Sequence, residues 1–316
     1  MFAGESVLAG GVHCVERPVS RLPSGAWLSL PIAVVHGRRP GPTVWISGAI
    51  HGDELNGVEI VRELIERVEP SELCGTILAV PMVNVFGVVD GSRYLPDRRD
   101  LNRSFPGSAR GSLASRLAHL LLTEVVSRCE FGIDFHTGSG GRSNIAQVRM
   151  DFANEALRPV AEVFGAPLLV HAKDRAGSLR HAAGQRGIPY LLFEGGEANR
   201  FDQDTITAGV DGALRVFQFL GMIASAPPRQ ASIACRGSVW VRARHGGIFR
   251  PSVGLGAKLD KGQEIGIVTD ALNLDRRIIR TQTAGVVIGL LQTPMVNAGD
   301  ALVHVGKIVS AQPVGG

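Results

Sequence analysis

The chain has 316 residues, of which 45% are hydrophobic and 20% charged, so it is long enough for two domains or for one large core with an appended module. The formal net charge of +4 comes from basic residues interleaved with acidic ones, without a run of five like charges, and aromatic residues make up only 5%. This composition excludes fibres, coiled coils and disordered tails and disfavours nucleic acid as a partner.

The four cysteines lie far apart without a C-x-x-C pair, which predicts neither a disulfide framework nor a cysteine zinc ribbon. Residues 1–18 contain no basic segment followed by a long apolar stretch, and the longest uncharged run, after Arg280, is interrupted by glycines and a proline. We therefore expect a cytoplasmic protein without a signal peptide or a membrane span.

Short apolar or β-branched runs alternate with segments of helical period from about residue 27 to residue 220, which is typical of an α/β domain. Strands are predicted at 28–36, 43–49, 76–82, 131–135 and 188–193. Helices are predicted at 57–68, 112–128 and 204–223. The pattern indicates a mixed, largely parallel sheet with flanking helices.

The composition changes at SAPPRQAS (225–232), where two prolines indicate a linker. Beyond it, short strands separated by glycines predict a small all-β domain. Its segments 257–268 and 293–305 form a weak repeat that resembles the barrel-sandwich of biotinyl and lipoyl carriers, but the turn DALNLD (270–275) has no lysine to modify. We therefore divide the chain into a larger domain, residues 1–225, and a smaller domain that serves as a cap or lid, residues 232–316.

The strongest chemical signal is ISGAIHGDELNG (46–57), where a predicted strand ends in a polar turn that holds His51 and Glu54. These two side chains can face one ion, and a third ligand from a distant strand completes a catalytic zinc site with a position open for water. His136, in GIDFHTG (132–138), is the distant candidate because it also ends an apolar run. The alternative is that each histidine is a hydrogen-bonded structural residue.

Ligands of open α/β sheets bind beyond the carboxyl ends of the strands, where four polar groups are expected: His51, the loop with Asn102 and Arg103, His136 and Glu194. Glu194 follows an apolar run in PYLLFEGGEANR (189–200), where a carboxylate can serve as general base beside a metal. A salt-bridged or helix-capping glutamate is the alternative, and Glu197 is a rival for the same role.

The loop SRYLPDRRDLNRSFPG (92–107) is dense in charged residues and turn formers. Its arginines can hold a carboxylate through the two parallel hydrogen bonds of a guanidinium. A solvated cluster of charges is the ordinary alternative, because surface ion pairs are frequent and contribute little.

Four strings together, in this order and with these gaps, resemble the succinylglutamate desuccinylase/aspartoacylase family: HGDE (51–54), DLNRSFPG (100–107), DFHT (134–137) and EGG (194–196). The resemblance extends from about residue 28 to residue 310. It implies a zinc-carboxypeptidase-like catalytic domain followed by a smaller, barrel-sandwich-like β domain.

The resemblance also implies the roles of individual residues. One Zn²⁺ per chain would be held by His51, Glu54 and His136, and Glu194 would take a proton from water and pass it to the leaving amine. Arg103, with Asn102, would hold the carboxylate of the substrate. An arginine further upstream would polarise the scissile carbonyl; Arg93 is the best match, and Arg98 and Arg99 are alternatives. The other seven histidines are interpreted as structural or surface residues.

We therefore expect a zinc-dependent amidohydrolase that removes an acyl group from the nitrogen of a small N-acyl amino acid or a related metabolite. A metallocarboxypeptidase acting on short peptides is the first alternative, because the same ligands and arginine suit a C-terminal carboxylate. A non-catalytic metabolite-binding protein on the same fold is the second. The expected partner is the small-molecule substrate, with no nucleic acid and no membrane; a homo-oligomer is left open, as is the identity of the acyl group.

Overall fold

The structure is a computed structural model and describes residues 6–21 and 24–309. Residues 1–5 lie outside the described residues, and they begin the segment considered above for a signal peptide. The outer ends of the two predicted domains also lie outside the described residues. Within the described part, the first eight strands are β1 Gly11–Arg21, β2 Trp27–His36, β3 Arg39–Gly48, β4 Cys74–Val80, β5 Phe131–Gly138, β6 Arg142–Met150, β7 Leu168–His171 and β8 Tyr190–Glu197.

Six α-helices accompany these strands: α1 Leu55–Arg67, α2 Val85–Asp90, α3 Leu113–Leu120, α4 Arg158–Phe164, α5 Leu179–Gly184 and α6 Gln203–Phe219. The predicted helices at 57–68 and 204–223 are confirmed as α1 and α6, and the five predicted strands as β2, β3, β4, β5 and β8. The predicted helix at 112–128 begins as α3, then widens into a π turn at Leu121–Val125 and ends in a 3₁₀ turn at Val126–Arg128.

The main sheet has twelve strands and is mixed. Its centre is parallel, because β3 pairs with β4 and β5, and β5 pairs with β8. The chain passes from β3 to β4 through α1, the kind of helical crossover that parallel neighbours need. Towards the edges, β1 pairs antiparallel with β2, β2 with β4, and β6 with β8. The prediction of a mixed, largely parallel sheet is therefore confirmed in part: the centre and the pairs β6–β7 and β7–β9 are parallel, and the other pairs of the sheet are antiparallel.

Eight further strands follow the predicted linker: β9 Ile233–Arg242, β10 Gly247–Pro251, β11 Lys258–Leu259, β12 Glu264–Thr269, β13 Arg276–Arg280, β14 Gly285–Leu291, β15 Met295–Val296 and β16 Ala301–Ile308. Four of them form a second sheet in the order β13-β12-β10-β15. The described residues after 232 contain strands and no helix.

The C-terminal strands are also hydrogen-bonded to the larger domain. β9 pairs with β7, β14 pairs with β6, and β16 pairs with both β9 and β14, so that β6, β7, β9, β16 and β14 form a closed circuit. A small apolar cluster that includes Leu168, Cys235 and Ile288 joins these strands. The C-terminal part is therefore connected to the larger domain by strand pairing as well as by the linker.

The main sheet separates two apolar cores. Successive strand residues point to opposite faces, so Val44 and Ile46 pack in the core with α1 and α6 while Trp45 packs in the other with α3. Both faces of β3, β5 and β8 are thus buried, which leaves the carboxyl ends of these strands as the place where polar side chains collect. None of the helices in the described ranges is long and apolar enough to cross a membrane.

Candidate active site

The turn between β3 and α1 carries the first two candidate residues. The backbone N–H of Glu54 donates to the carbonyl of His51 over 3.1 Å, which closes the turn, and both side chains are buried. Gly52 lies against α2 so closely that a Cβ there would meet the carbonyl carbon of Gly87 at 1.9 Å. Only a glycine allows this turn to approach α2 at that distance.

His51, Glu54 and His136 form a compact group. Nδ1 of His51 lies 2.7 Å from Oε1 of Glu54, and Nδ1 of His136 lies 2.8 Å from Oε2 of the same carboxylate. All three residues are buried, and their potential ligand atoms lie within 4.8 Å of one another. The structure thus brings together the three residues that the sequence analysis selected as metal ligands.

Two further carboxylates hold the outer nitrogens of the histidines. Nε2 of His51 lies 3.2 Å from Oδ1 of Asp100, and Nε2 of His136 lies 2.7 Å from Oδ2 of Asp134. Such outer contacts orient a metal-binding imidazole and set its tautomer. Neither aspartate was predicted as a partner of these histidines. Asp134 stands two residues before His136 on β5, and that spacing places the two side chains on the same face of a strand.

The electrostatics of this group favour a positive charge between the carboxylates. Burial opposes ionisation of Glu54, yet His51 and His136 hold the pKa of this carboxyl far below its usual range. Burial likewise opposes the charged form of His136, but Asp134 and Glu54 raise its pKa well above the ordinary value. Two imidazole nitrogens and a carboxylate oxygen are also the donor set of many catalytic zinc sites. The residues present therefore fit Zn²⁺.

One arginine of the loop 92–107 lies at the site. Nη1 of Arg93 lies 3.4 Å from Oε1 of Glu54, and Nη2 lies 2.9 Å from Oδ2 of Asp100. Arg93 lines the cleft above the histidines, whereas Arg98 and Arg99 do not. Of the three arginines considered for the substrate carbonyl, the structure places Arg93 beside the candidate metal ligands.

Asn102 and Arg103 lie on a 3₁₀ turn, Leu101–Arg103, at the same cleft. Oδ1 of Asn102 accepts the backbone N–H of Leu179 at the start of α5 over 2.9 Å, which leaves its amide nitrogen for a ligand. Arg103 is exposed to the cleft and forms no salt bridge within the described residues. A Cβ at Gly177 would meet the carbonyl oxygen of Arg103 at 2.9 Å, so this glycine allows the close packing behind the arginine.

The two candidate glutamates on β8 have different surroundings. Glu194 is opposite His136 in the strand register and lines the cleft. Its Oε2 lies 2.8 Å from Nε of Arg149. Glu197 does not line the cleft, and its carboxylate lies 3.5 Å from Nε of the exposed Arg200.

The C-terminal strands complete one wall of the cleft. Trp240 on β9 and His304 on β16 both line it, with their rings stacked at 4.3 Å. Burial, and then Arg149, lower the pKa of His304 to about 3, so this imidazole is neutral. The interpretation of His304 as a structural or surface residue is therefore incomplete, because it also faces the cleft.

The cleft encloses about 430 Å³ and is strongly cationic. Its acidic lining residues are two glutamates, Glu54 and Glu194, among those described. Seven basic residues line the same space: Arg93, Arg103, Arg142, Arg149, Lys173, Arg175 and Arg180.

Comparison with known proteins places this architecture among deacylases. Residues 40–220 match the family model of the succinylglutamate desuccinylase/aspartoacylase catalytic domain. N-alpha-acetyl-L-2,4-diaminobutyric acid deacetylase from Halomonas elongata is 28% identical, over 94% of this chain and 91% of the relative.

Two solved structures have the same fold. A succinylglutamate desuccinylase/aspartoacylase from Rhodobacter sphaeroides has a TM-score of 0.85 at 28% identity, covering 95% of this chain and 96% of that one. The product-bound ectoine utilization protein EutE (DoeB) from Ruegeria pomeroyi has a TM-score of 0.85 at 24% identity, covering 94% and 95%.

Proposed function

Because this chain belongs to the succinylglutamate desuccinylase/aspartoacylase family, we propose that it is a zinc-dependent amidohydrolase that deacylates a small N-acyl amino acid. The observation that carries the proposal is the buried group of His51, Glu54 and His136, which faces the same cleft as Glu194. The name of the Halomonas elongata relative, a deacetylase of an N-acetylated amino acid, supports the reaction class.

His51, Glu54 and His136 would hold one Zn²⁺, which when bound supplies a Lewis acid for the scissile carbonyl and lowers the pKa of water to about 7. Glu194 accepts the proton of the attacking water and delivers it to the leaving nitrogen. Arg93 donates hydrogen bonds to the oxygen on which negative charge develops.

The carboxylate of the amino acid is assigned to Arg103 and Asn102. The planar guanidinium of Arg103 forms no salt bridge within the described residues and can hold both oxygens of a carboxylate, and Asn102 offers an amide N–H₂ group. Both residues line the cleft with Glu194, so a bound carboxylate and the reacting amide share one space.

The charge of the cleft supports a substrate with a second negative group. Arg93, Arg149 and Arg180 form salt bridges with carboxylates. In contrast, four basic lining residues form none within the described ranges: Arg103, Arg142, Lys173 and Arg175. Such a field attracts anions and repels an ammonium side chain. We therefore expect an acidic N-acyl amino acid to be preferred over the N-acetyl-diaminobutyric acid named for the Halomonas elongata relative.

We infer a compact substrate, because the stacked rings of Trp240 and His304 form part of the wall of the cleft. This favours a single N-acyl amino acid over a peptide, and so an amidohydrolase over a metallocarboxypeptidase. The cytoplasm is the proposed location, in keeping with four cysteines that form no disulfide.

Amine release tests this function on protein of measured zinc content. The panel contains N-acetyl-L-aspartate, N-succinyl-L-glutamate, N-α-acetyl-L-2,4-diaminobutyrate and a dipeptide. We expect the highest kcat/KM for one of the two acidic compounds. Preference for the dipeptide would favour the metallocarboxypeptidase, and zinc-loaded protein that releases no amine from any compound would favour a binding protein without catalysis.

A further inference from the structure

The carboxylate of Glu194 is held from the neighbouring strand. β6 runs antiparallel to β8, with Gln147 opposite Glu194 and Arg149 opposite Leu192. Because side chains alternate between the faces of a strand, Arg149 and Glu194 are diagonal neighbours on the face that lines the cleft. Nε of Arg149 is buried and lies 2.8 Å from Oε2 of Glu194, in an ion pair that lacks the geometry of a hydrogen bond.

The two oxygens of this carboxylate differ in their surroundings. Oε2 lies 2.8 Å from Arg149 and also accepts the side-chain N–H of Asn144 over 3.4 Å. Oε1 has no protein partner within the described residues. One oxygen is therefore anchored on β6, and the other is left for a proton from the cleft.

We propose that Arg149 is a positioning residue for the general base, which fixes Oε2 of Glu194 so that Oε1 faces the reacting water. The proposal rests on the proposed function of Glu194. Only 18% of the Glu194 side chain and 27% of the Arg149 side chain are exposed, so the pair has limited access to water that would replace it. Removal of one partner from a partly buried ion pair leaves the other charge uncompensated. Without Arg149, we expect the Glu194 carboxylate to rotate towards another basic residue of the cleft.

The surroundings of Arg149 leave Glu194 as its acidic partner. The imidazole of His304 beside it is neutral, because burial and Arg149 lower the pKa of that ring to about 3. His304 therefore does not compete for the carboxylate. Asn144, the second anchor, is opposite Gly289 on β14, where a Cβ would meet Oδ1 of Asn144 at 2.7 Å. The anchor thus lies where β6 meets both β8 and a C-terminal strand.

Steady-state kinetics of Arg149→Gln and Arg149→Lys test this role, with the panel member of highest kcat/KM as substrate. We expect Arg149→Gln to lower kcat by about 10- to 100-fold, as loss of a supporting contact does around metal centres, with KM changed less than about twofold. Arg149→Lys should keep part of kcat, because the ammonium retains the charge. Calorimetric affinity for the product amino acid should stay the same in both variants.

Arg200→Gln is the matched control, since it breaks the exposed ion pair of Glu197 in the same strand segment and should leave kcat unchanged. A second test combines Arg149→Gln with Glu194→Gln. If Arg149 acts through Glu194, its removal in the Glu194→Gln background should cost less than about twofold.

Three results would overturn the positioning role. A raised KM and weaker product binding, with kcat unchanged, would make Arg149 a substrate-binding residue. An equal loss of kcat on Arg149→Gln in the parent protein and in the Glu194→Gln background would show that Arg149 does not act through Glu194. Parental kcat in Glu194→Gln would refute the assignment of the base itself, and thus the proposed function, whereas the first two results leave that function intact.

Zinc content and Tm, measured for every variant, confirm that the protein compared is folded. Arg149→Lys replaces Arg149→Gln if the latter does not fold.

Discussion

Replacing Arg103 by lysine distinguishes a planar fork from a point charge at the substrate carboxylate. A guanidinium can hold both carboxylate oxygens, whereas lysine offers one flexible ammonium. A hydrogen bond to a charged group contributes about 1.5–3 kcal/mol, but Arg103 is exposed to the cleft, so water screens the contact and the lower end applies. Arg103→Lys should therefore lower kcat/KM by about tenfold, close to 1.4 kcal/mol of transition-state binding.

The assay compares the preferred N-acyl amino acid with an analogue whose α-carboxylate is a neutral amide. The analogue should be a poor substrate of the parent protein and should lose little further in Arg103→Lys, because the contact is already absent. Zinc content should not change. Equal losses for the acid and the amide would show that Arg103 supports the loop and does not recognise the carboxylate.

Four further predictions concern the candidate base Glu194, the contact of Asp134 with His136, the turn at Gly52 and the C-terminal strands. Glu194→Gln should retain zinc and lower kcat by about two to four orders of magnitude while Glu197→Gln changes little; amine release in which this ranking is reversed would identify Glu197 as the base. Asp134→Asn should weaken zinc binding about 10- to 100-fold in a chelator competition, and unchanged affinity would contradict its role in orienting the histidine. Gly52→Ala should lower the free energy of unfolding in urea by about 3 kcal/mol or more, because its Cβ would lie 1.9 Å from backbone of α2; parental stability would refute that close approach. Intact mass after co-expression with a biotin or lipoate ligase should show no modification, since the turn at 270–275 has no lysine, and an added cofactor mass would contradict this.

The central strands could be predicted because both of their faces are buried. β3, β5 and β8 therefore appear in the sequence as continuous apolar runs. β6, with the sequence RSNIAQVRM, was missed because the side chains that face the cleft, among them Asn144 and Arg149, are polar and interrupt the apolar pattern. The polar residues through which β6 contacts Glu194 therefore hid this strand in the sequence.

The candidate metal ligands could be predicted because two of them belong to one turn. His51 and Glu54 are three residues apart, and His136 ends a recognisable strand. Trp240 and His304 carry no such local signal. They reach the cleft because β9 pairs with β7 of the larger domain and β16 pairs with β9, which stacks two rings more than 60 positions apart in the chain.

The central claim is that His51, Glu54 and His136 hold the zinc required for deacylation. The most direct test measures zinc by elemental analysis and amine release from the acidic N-acyl amino acids, in the parent protein and in His136→Ala. We expect about one zinc per chain and amine release in the parent, and neither in the variant. Full zinc content in His136→Ala, or undiminished amine release without zinc, would contradict the claim.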